Sequence, residues 1–306
     1  MEEIKTLTDK IKAEAFRLGF SACGTARVEF LENEAAILDK WLKQNYHAGM
    51  KYMENRREMR LNPAKLVEGA KSVVSLAYNY YSAKKQTSGA PIISKYAYGR
   101  DYHFVVKEKV YQLLNFIKHE NRETEGRAFV DSAPILEKAW AQRAGTGWIG
   151  KNTCLIVDKK GSFHFLAELV LNIELNYDSP ITSKCGDCTR CIDNCPAGAL
   201  VEPYVLNAMK CISYLTIEHR DALPDTGKNL ASRIFGCDIC QDVCPHNIRF
   251  AKENTEPQFN PPAELLNKTA IEWQNLSEEN FQKLFRHSAV KRTKYSGLKR
   301  NIVISD

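Results

Sequence analysis

The chain has little that would place it in a membrane or send it out of the cell. No stretch of about 18 residues is apolar enough to span a bilayer. The first residues, Met-Glu-Glu-Ile-Lys, lack the basic start and apolar core of a secretory signal peptide, and they lack a twin-arginine export signal. These absences argue against a membrane-spanning or exported protein, and we expect a cytoplasmic monomer with no membrane partner.

Cysteine, in contrast, is abundant. Ten cysteines occur among 306 residues, whereas the hydrophobic share of 44%, the charged share of 26% and the net charge of +6 are ordinary for a globular protein. Because a reducing cytoplasm disfavours disulfides, this many thiols indicate bound metal.

Eight of the ten cysteines lie in one region. The run from Cys185 to Pro196 has the spacing C-x2-C-x2-C-x3-C-P, which holds iron–sulfur clusters. The run from Cys237 to Pro245 repeats the later part of that spacing, and Cys211 lies between the two runs. Zinc sites use pairs of cysteines separated by a spacer, so a third cysteine two residues on fits zinc poorly.

A ligand set follows from two-cluster ferredoxins, in which the fourth cysteine of a run binds the other cluster. That rule assigns one [4Fe–4S] cluster to Cys185, Cys188, Cys191 and Cys244. It assigns the second to Cys195, Cys237 and Cys240, and Cys211 is the natural eighth ligand. Two such clusters transfer electrons from one to the other. Because they are fused to a larger domain, we expect that domain to contain another redox centre.

The remaining sequence predicts a mixed α/β (α+β) domain. Apolar periodicity predicts helices over 2–19, 31–46, 101–120 and 134–144, and strands over 20–26, 72–78, 127–131, 155–157 and 163–175. The predicted organisation is a catalytic domain at 1–180, a ferredoxin-like domain at 181–250 and a C-terminal basic tail at 251–306 that packs on the core. A helix is expected near 277–287 of that tail.

Two short motifs fit their usual functions poorly. Gly145-Thr-Gly147-Trp-Ile-Gly150 has the letters of a dinucleotide-binding loop, but it follows a helix rather than a strand, which favours a turn needing positive φ. Asp101-Tyr-His103 resembles the start of a motif that provides a lower ligand to cobalamin, but Val106 stands where that motif needs glycine.

Cys23 and Cys154 lie outside the cysteine-rich region in apolar surroundings, and we interpret them as buried structural thiols.

Asp131 is the acid that the sequence singles out, because it ends an apolar strand. A carboxyl group held there and partly desolvated would have a raised pKa and could donate a proton. The alternative is that Asp131 caps the amino terminus of a helix opened by Pro134. The spacing alone leaves both open.

The segment 286–300 contains several basic residues, no acid, and the aromatic Tyr295. Such a segment suits a phosphate backbone and a stacked base. The alternative is a solvated basic tail without a ligand.

Together the motifs resemble the signature of epoxyqueuosine reductases. The matching stretches are Val130-Asp131-Ser-Ala-Pro134-Ile-Leu-Glu137-Lys-Ala139, Gly145-Thr-Gly147-Trp-Ile-Gly150-Lys151-Asn152-Thr, Tyr96-Ala-Tyr-Gly99-Arg100-Asp101-Tyr102-His103 and Cys211-Ile-Ser213-Tyr-Leu-Thr216. The order of the cysteines also matches, and the resemblance covers nearly the whole chain.

The resemblance implies a nitroreductase-like corrinoid-binding fold fused to a two-cluster ferredoxin-like domain, and a base-off cobalamin without a histidine lower ligand. It implies reduction of epoxyqueuosine to queuosine at the wobble position of a tRNA anticodon stem-loop. Electrons would come from an external donor such as flavodoxin or ferredoxin. The family's proton donor falls on Asp131, and its cobalamin contacts fall on Arg60, Ser94, Lys151, Asn152, Leu155 and Ser213. Ser94 stands where some members have a cysteine.

Many members of that family continue into helical HEAT-like repeats that help to hold the tRNA, and this chain stops near Asp306. We therefore expect the tRNA to be bound by Arg292, Lys294, Lys299 and Arg300. Two alternatives are a corrinoid reductive dehalogenase, which would release halide, and a ferredoxin-type electron carrier, which needs no corrinoid.

Overall fold

Helices and short strands alternate along the chain, as the apolar pattern predicts. In the computed structural model, which describes residues 2–224 and 230–304, the strands are β1 (Ala22–Arg27), β2 (Ser72–Asn79), β3 (Ile92–Ile93), β4 (Gly126–Phe129), β5 (Trp148–Ile149), β6 (Leu155–Ile156), β7 (His164–Leu171), β8 (Leu200–Glu202), β9 (Val205–Leu206) and β10 (Arg233–Phe235). The helices are α1 (Glu2–Arg17), α2 (Glu32–Lys43), α3 (Arg57–Leu61), α4 (Tyr102–Glu120), α5 (Glu137–Arg143), α6 (Arg190–Asp193), α7 (Ile212–Ile217), α8 (Ile239–Asp242), α9 (Pro245–Phe250), α10 (Ala263–Asn267), α11 (Ala270–Gln274), α12 (Glu278–Leu284) and α13 (Lys294–Ile304).

A four-stranded antiparallel sheet, in the order β1-β2-β7-β4, forms the centre of the first domain. Successive side chains of a strand point to opposite faces. Leu76 and Leu169 therefore pack against α1 and α4, whereas Val73 and Val170 pack on the other face with Trp140 of α5. Helices cover both faces, and the predicted mixed α/β fold is confirmed.

The cysteine region is tied to the first domain by backbone hydrogen bonds. Strand β10 pairs in parallel with β3, so that Arg233 lies opposite Ile92 and Phe235 opposite Ile93. The short helices α6, α8 and α9 carry or follow the cysteine runs. This pairing holds the second cysteine run next to the first domain.

The carboxy-terminal segment is folded rather than a free basic arm. Helices α10 to α13 bury Trp273, Phe281, Leu298 and Ile302 against Phe235 of β10. The segment that contains the basic residues thus has an apolar inner face. No helix within the two described ranges is long and apolar enough to cross a bilayer.

Several predicted boundaries are wrong. The strand predicted over 163–175 ends at Leu171, and the strand predicted over 127–131 ends at Phe129, so Asp131 lies beyond the strand.

Helix α5 begins at Glu137, with Leu136 in the cap position, instead of at Pro134. Residues 130–136 form a loop, and its cause lies in the contacts of Asp131 described below.

Candidate active site

A cavity of about 1020 Å³ lies between the loop after β4, the start of α4, helix α7 and the segment before α13. Its wall includes Arg60, His103, Asp131, Cys211 and Ser213. The volume is at the upper end of the ~300–1,000 Å³ usual for small-molecule sites, so a large cofactor fits better than a small metabolite alone.

Asp131 stands on this wall in an unusual backbone conformation. Its φ is +56°, in the left-handed region that residues other than glycine seldom adopt. Its side chain faces the cavity and is 57% exposed. Since Leu136 holds the cap position of α5, Asp131 does not cap that helix, and the helix-cap interpretation is wrong.

Two side chains from the first turn of α4 hold the Asp131 carboxylate. The hydroxyl of Tyr102 donates a hydrogen bond to Oδ2 of Asp131. The Nε2 atom of His103 lies 3.5 Å from the same oxygen. On its other side, Nδ1 of His103 lies 2.8 Å from Oδ1 of Asp101, whose side chain also caps α4 by accepting the N–H of His103. The imidazole is thus held between two carboxylates.

These contacts determine where the proton resides. Burial alone would lower the pKa of His103, but its hydrogen bonds to Asp101 and Asp131 outweigh burial and raise the pKa to about 9. Burial alone would raise the pKa of Asp131, but the hydrogen bonds from His103 and Tyr102 lower it below its ordinary value. The predicted raised pKa of Asp131 is therefore wrong in direction. At neutral pH the pair consists of an imidazolium and a carboxylate.

The four cysteines predicted for one cluster surround a common cavity. Cys185, Cys188, Cys191 and Cys244 line a space of about 140 Å³. Within the described residues, no three Cys, His, Asp or Glu side chains converge as a single metal ion would require. The donor set and the space between the thiols fit a multi-iron cluster.

The cysteines predicted for the second cluster lie beside the large cavity. Cys211 and Cys237 pack against the same small core, which contains Ala208 and Ile212. Burial raises the pKa of Cys211 and Cys237, and a hydrogen bond with Cys154 followed by burial raises that of Cys240. Smaller contributions from Cys195 to Cys211, and from Cys211 to Cys237 and Cys240, show that these thiols are neighbours. Because Cys211 also lines the large cavity, this group is the one nearer to Asp131 and His103.

The residues that the resemblance assigned to cobalamin separate into two groups. Arg60 and Ser213 line the large cavity, and the buried guanidinium of Arg60 donates to the carbonyls of Tyr52 and Asn55. The other four are not among its lining residues. Lys151 and Asn152 line the smaller cysteine cavity, Ser94 is buried beside Gly236, and Leu155 packs in the core.

The residues assigned to tRNA also differ in their contacts. Arg292 lines the large cavity and forms an ion pair with Glu218, with Nη2 3.0 Å from Oε2. Lys294 is exposed. In contrast, Lys299 donates to the carbonyl of Gln274, and Arg300 donates to the carbonyls of Leu215, His219 and Asp221 at 2.9, 3.1 and 2.6 Å. Lys299 and Arg300 thus use their donors within the protein, which does not favour them as phosphate ligands.

Sequence reasoning missed the partners of Asp131. The sequence-based interpretation relates His103 only to a cobalamin ligand, whereas the motif Asp101-x-His103 at a helix start also indicates an oriented imidazole. Glu168 was also missed, although an acid in the middle of the apolar strand β7 indicates a buried polar contact. Gly145 has φ +66°, so the turn interpretation of the glycine loop is confirmed.

Comparison with known proteins gives two matching family models. A model described as "Epoxyqueuosine reductase QueG, DUF1730" matches residues 60–132. A model described as "4Fe-4S double cluster binding domain" matches residues 184–247. The first match ends just past Asp131, and the second spans all eight clustered cysteines.

Relatives match over nearly the full chain. The epoxyqueuosine reductase of Cellulophaga algicola is 54% identical over 297 residues, which cover 96% of this chain and 96% of that protein. A crystal structure of epoxyqueuosine reductase with a tRNA-Tyr epoxyqueuosine-modified stem loop has a TM-score of 0.91 at 31% identity, covering 98% of this chain and 80% of that one. The Bacillus subtilis enzyme, seen with its catalytic loop swung out of the active site, has a TM-score of 0.89 at 29% identity and covers 98% and 81%.

Proposed function

The chain belongs to the epoxyqueuosine reductase family, and on that premise we propose how its residues reduce the epoxide of epoxyqueuosine in a tRNA anticodon stem-loop to the alkene of queuosine. The protein is an oxidoreductase, and the resemblance read from its sequence is confirmed. Family membership favours this reaction over reductive dehalogenation and over plain electron transfer.

The observation that carries the proposal is the pair of Asp131 and His103 on the wall of a cavity that Cys211 also lines. The oxygen of an opened epoxide is a poor leaving group as an alkoxide, so it needs a positioned proton. The cavity therefore combines a proton source with a neighbouring group of cluster-type thiols.

We assign the proton transfer to the two residues in series. The His103 imidazolium holds the proton at neutral pH, and Asp131 lies next to it on the cavity wall. A proton that moves from His103 to Asp131 neutralises the carboxylate, and the resulting carboxylic acid then donates the proton to the epoxide oxygen. Reduction of an epoxide to an alkene consumes two electrons and two protons and releases water. His103 and Asp131 must therefore take up protons from solvent again in each turnover.

The electron path is inferred from the cysteine groups and the family model. One 4Fe–4S cluster would be held by Cys185, Cys188, Cys191 and Cys244, and a second by Cys195, Cys211, Cys237 and Cys240. An external donor such as flavodoxin or ferredoxin would deliver electrons to the first cluster, and the second cluster would lie beside the large cavity, whose wall includes Cys211. We propose that the enzyme works in the cytoplasm as a monomer.

Cobalamin would occupy the large cavity, where Arg60 and Ser213 on the wall would contact it. When bound, it supplies a low-valent cobalt that acts on the substrate ring as a nucleophile or an electron donor. His103 lies between two carboxylates, which supports the expectation that cobalamin would bind without a histidine lower ligand. The antiparallel sheet with helices on both faces supports a nitroreductase-like corrinoid-binding domain.

Nucleoside analysis of tRNA tests the proposed function. A strain lacking this protein should accumulate epoxyqueuosine in its tRNA, and expression of the chain in that strain should restore queuosine. Queuosine at normal levels in the deletion strain would contradict the proposed reaction.

A further inference from the structure

A buried acid stands in the middle of the central sheet, directly behind the loop of Asp131. Glu168 is fully buried on β7, and its register partners are Ser75 on β2 and Phe129 on β4. The hydroxyl of Ser75 lies 3.5 Å from Oε1 of Glu168. Oε2 of Glu168 has no donor among the residues described, which is costly for a buried carboxylate. Phe129 is the last residue of β4, so the loop of Asp131 leaves the sheet at this point.

Glu137 connects this acid to the loop. It is the first residue of α5, and its Oε1 accepts the backbone N–H of Asp131 at 2.6 Å. The carboxyl groups of Glu137 and Glu168 are also close enough to affect each other's pKa. Two carboxyl groups this close repel each other unless at least one is protonated, so we expect them to share a proton, which would supply the donor that Oε2 of Glu168 lacks among the described residues.

The surroundings keep the shared proton in place. Burial, and then the charge of Asp131, raise the pKa of Glu137 to about 8. Burial, and then the neighbouring Glu137, raise the pKa of Glu168 well above its ordinary range. At neutral pH the pair is therefore at most singly ionised, and the contact is attractive.

We propose that Glu137 and Glu168 are positioning residues that fasten the Asp131 loop to the sheet and keep its carboxylate in the active site. The connection runs from the sheet through Glu168 and Glu137 to the N–H of Asp131. The left-handed backbone of Asp131 is unfavourable by itself, so a fixed acceptor for its N–H is needed to hold it. This inference rests on the proposed role of Asp131. In the Bacillus subtilis relative the catalytic loop has a second, outward position, and loss of the fastening would favour such a position here.

The test compares three substitutions in enzyme loaded with cobalamin and iron–sulfur clusters. Glu137→Ala removes the acceptor, whereas Glu137→Gln keeps an amide oxygen for the Asp131 N–H and an amide N–H for Glu168. Glu272→Ala is the matched control, because Glu272 accepts the backbone N–H of Thr269 at 2.7 Å in an exposed cap of α11. It removes the same kind of bond away from the site.

We measure kcat and KM on epoxyqueuosine-containing stem-loop and amide hydrogen exchange of the peptide that contains residues 130–133. Glu137→Ala should lower kcat by about 10- to 100-fold with little change in KM, because a misplacement of ~1 Å can cost about that much. It should also accelerate exchange in that peptide. Glu137→Gln should restore most of both properties, and Glu272→Ala should match the wild type in both.

Normal kcat and normal exchange in Glu137→Ala would overturn the proposal, and so would a loss of kcat without faster exchange. If Glu137→Ala does not fold, Glu137→Asp replaces it, because the shorter side chain withdraws the acceptor but keeps the carboxyl group. Failure of the proposed reaction itself would appear as an inactive wild type, whereas the exchange measurement would still report on the loop.

Discussion

The imidazole of His103 and the carboxylate of Asp131 lie 3.5 Å apart, and each changes the proton affinity of the other. The pKa of His103 is raised to about 9, while that of Asp131 is lowered. In the proposed reaction, the proton for the epoxide oxygen is therefore held on the histidine and passes through Asp131, which lies beside it on the cavity wall.

This arrangement predicts the pH dependence of turnover. A raised pKa means that His103 is protonated below about 9 and loses its proton as the pH rises through that value. The rate of a single turnover should therefore be level through neutral pH and decline above about pH 9. His103→Gln should be slower, and its profile should lack this alkaline decline. An unchanged alkaline decline in His103→Gln would assign the titration to another group.

The ligand assignment predicts the iron content of a cysteine variant. Anaerobically reconstituted protein should hold about eight irons, from two clusters of four. Cys211→Ala should lose one cluster and retain the other, which leaves about four irons. Cys23→Ala is the control, because Cys23 packs against the core of the first domain and should keep the full iron content. Two intact clusters in Cys211→Ala would show that another group is the eighth ligand.

The basic residues before and within α13 should divide into residues that bind tRNA and residues that stabilise the fold. Neutralising Arg292 and Lys294 together should weaken tRNA binding and reduce its salt dependence by about one to two units of log–log slope. Arg300→Ala should instead lower the melting temperature, because Arg300 donates to three carbonyls at and after the end of α7, and it should leave the salt dependence unchanged. If Arg300→Ala instead reduced the salt dependence of tRNA binding and left the melting temperature unchanged, Arg300 would belong to the tRNA interface.

The anticodon stem-loop should suffice as a substrate. Lys299 and Arg300 use their donors within the protein, so we expect contacts from this segment to the rest of a tRNA to contribute little. The kcat/KM for a minimal stem-loop and for full-length tRNA should agree within about tenfold, or ~1.4 kcal/mol. A strict requirement for full-length tRNA would contradict this expectation.

Much of this site was visible in the sequence because its signals are local. Fixed cysteine spacings predict the iron–sulfur region, and the apolar run at 72–78 predicts a central strand. The wrong start of α5 has a different cause. Pro134 is a good first residue for a helix, but the side chain of Glu137 binds the N–H of Asp131 and holds residues 130–136 as a loop.

The features of the site that the sequence does not predict depend on contacts between distant parts of the chain. His103 and Asp131 come together only because α4 and β4 pack on the same sheet, and this contact reverses the predicted pKa shift of Asp131. The charge of Arg300 is readable in the sequence, but the carbonyls that accept its hydrogen bonds are not.

The central claim is that Asp131 passes a proton to the epoxide oxygen, and Asp131→Asn tests it most directly. Asparagine keeps the size of the side chain and an oxygen that accepts from Tyr102, but it cannot relay the proton. The measurement is the rate of queuosine formation under anaerobic, reducing conditions, with cobalamin and iron content determined in the same sample. We predict full cofactor loading and a rate lower by about 10²–10⁴-fold, the usual contribution of a positioned acid. A loaded Asp131→Asn enzyme with a near-normal rate would contradict the claim.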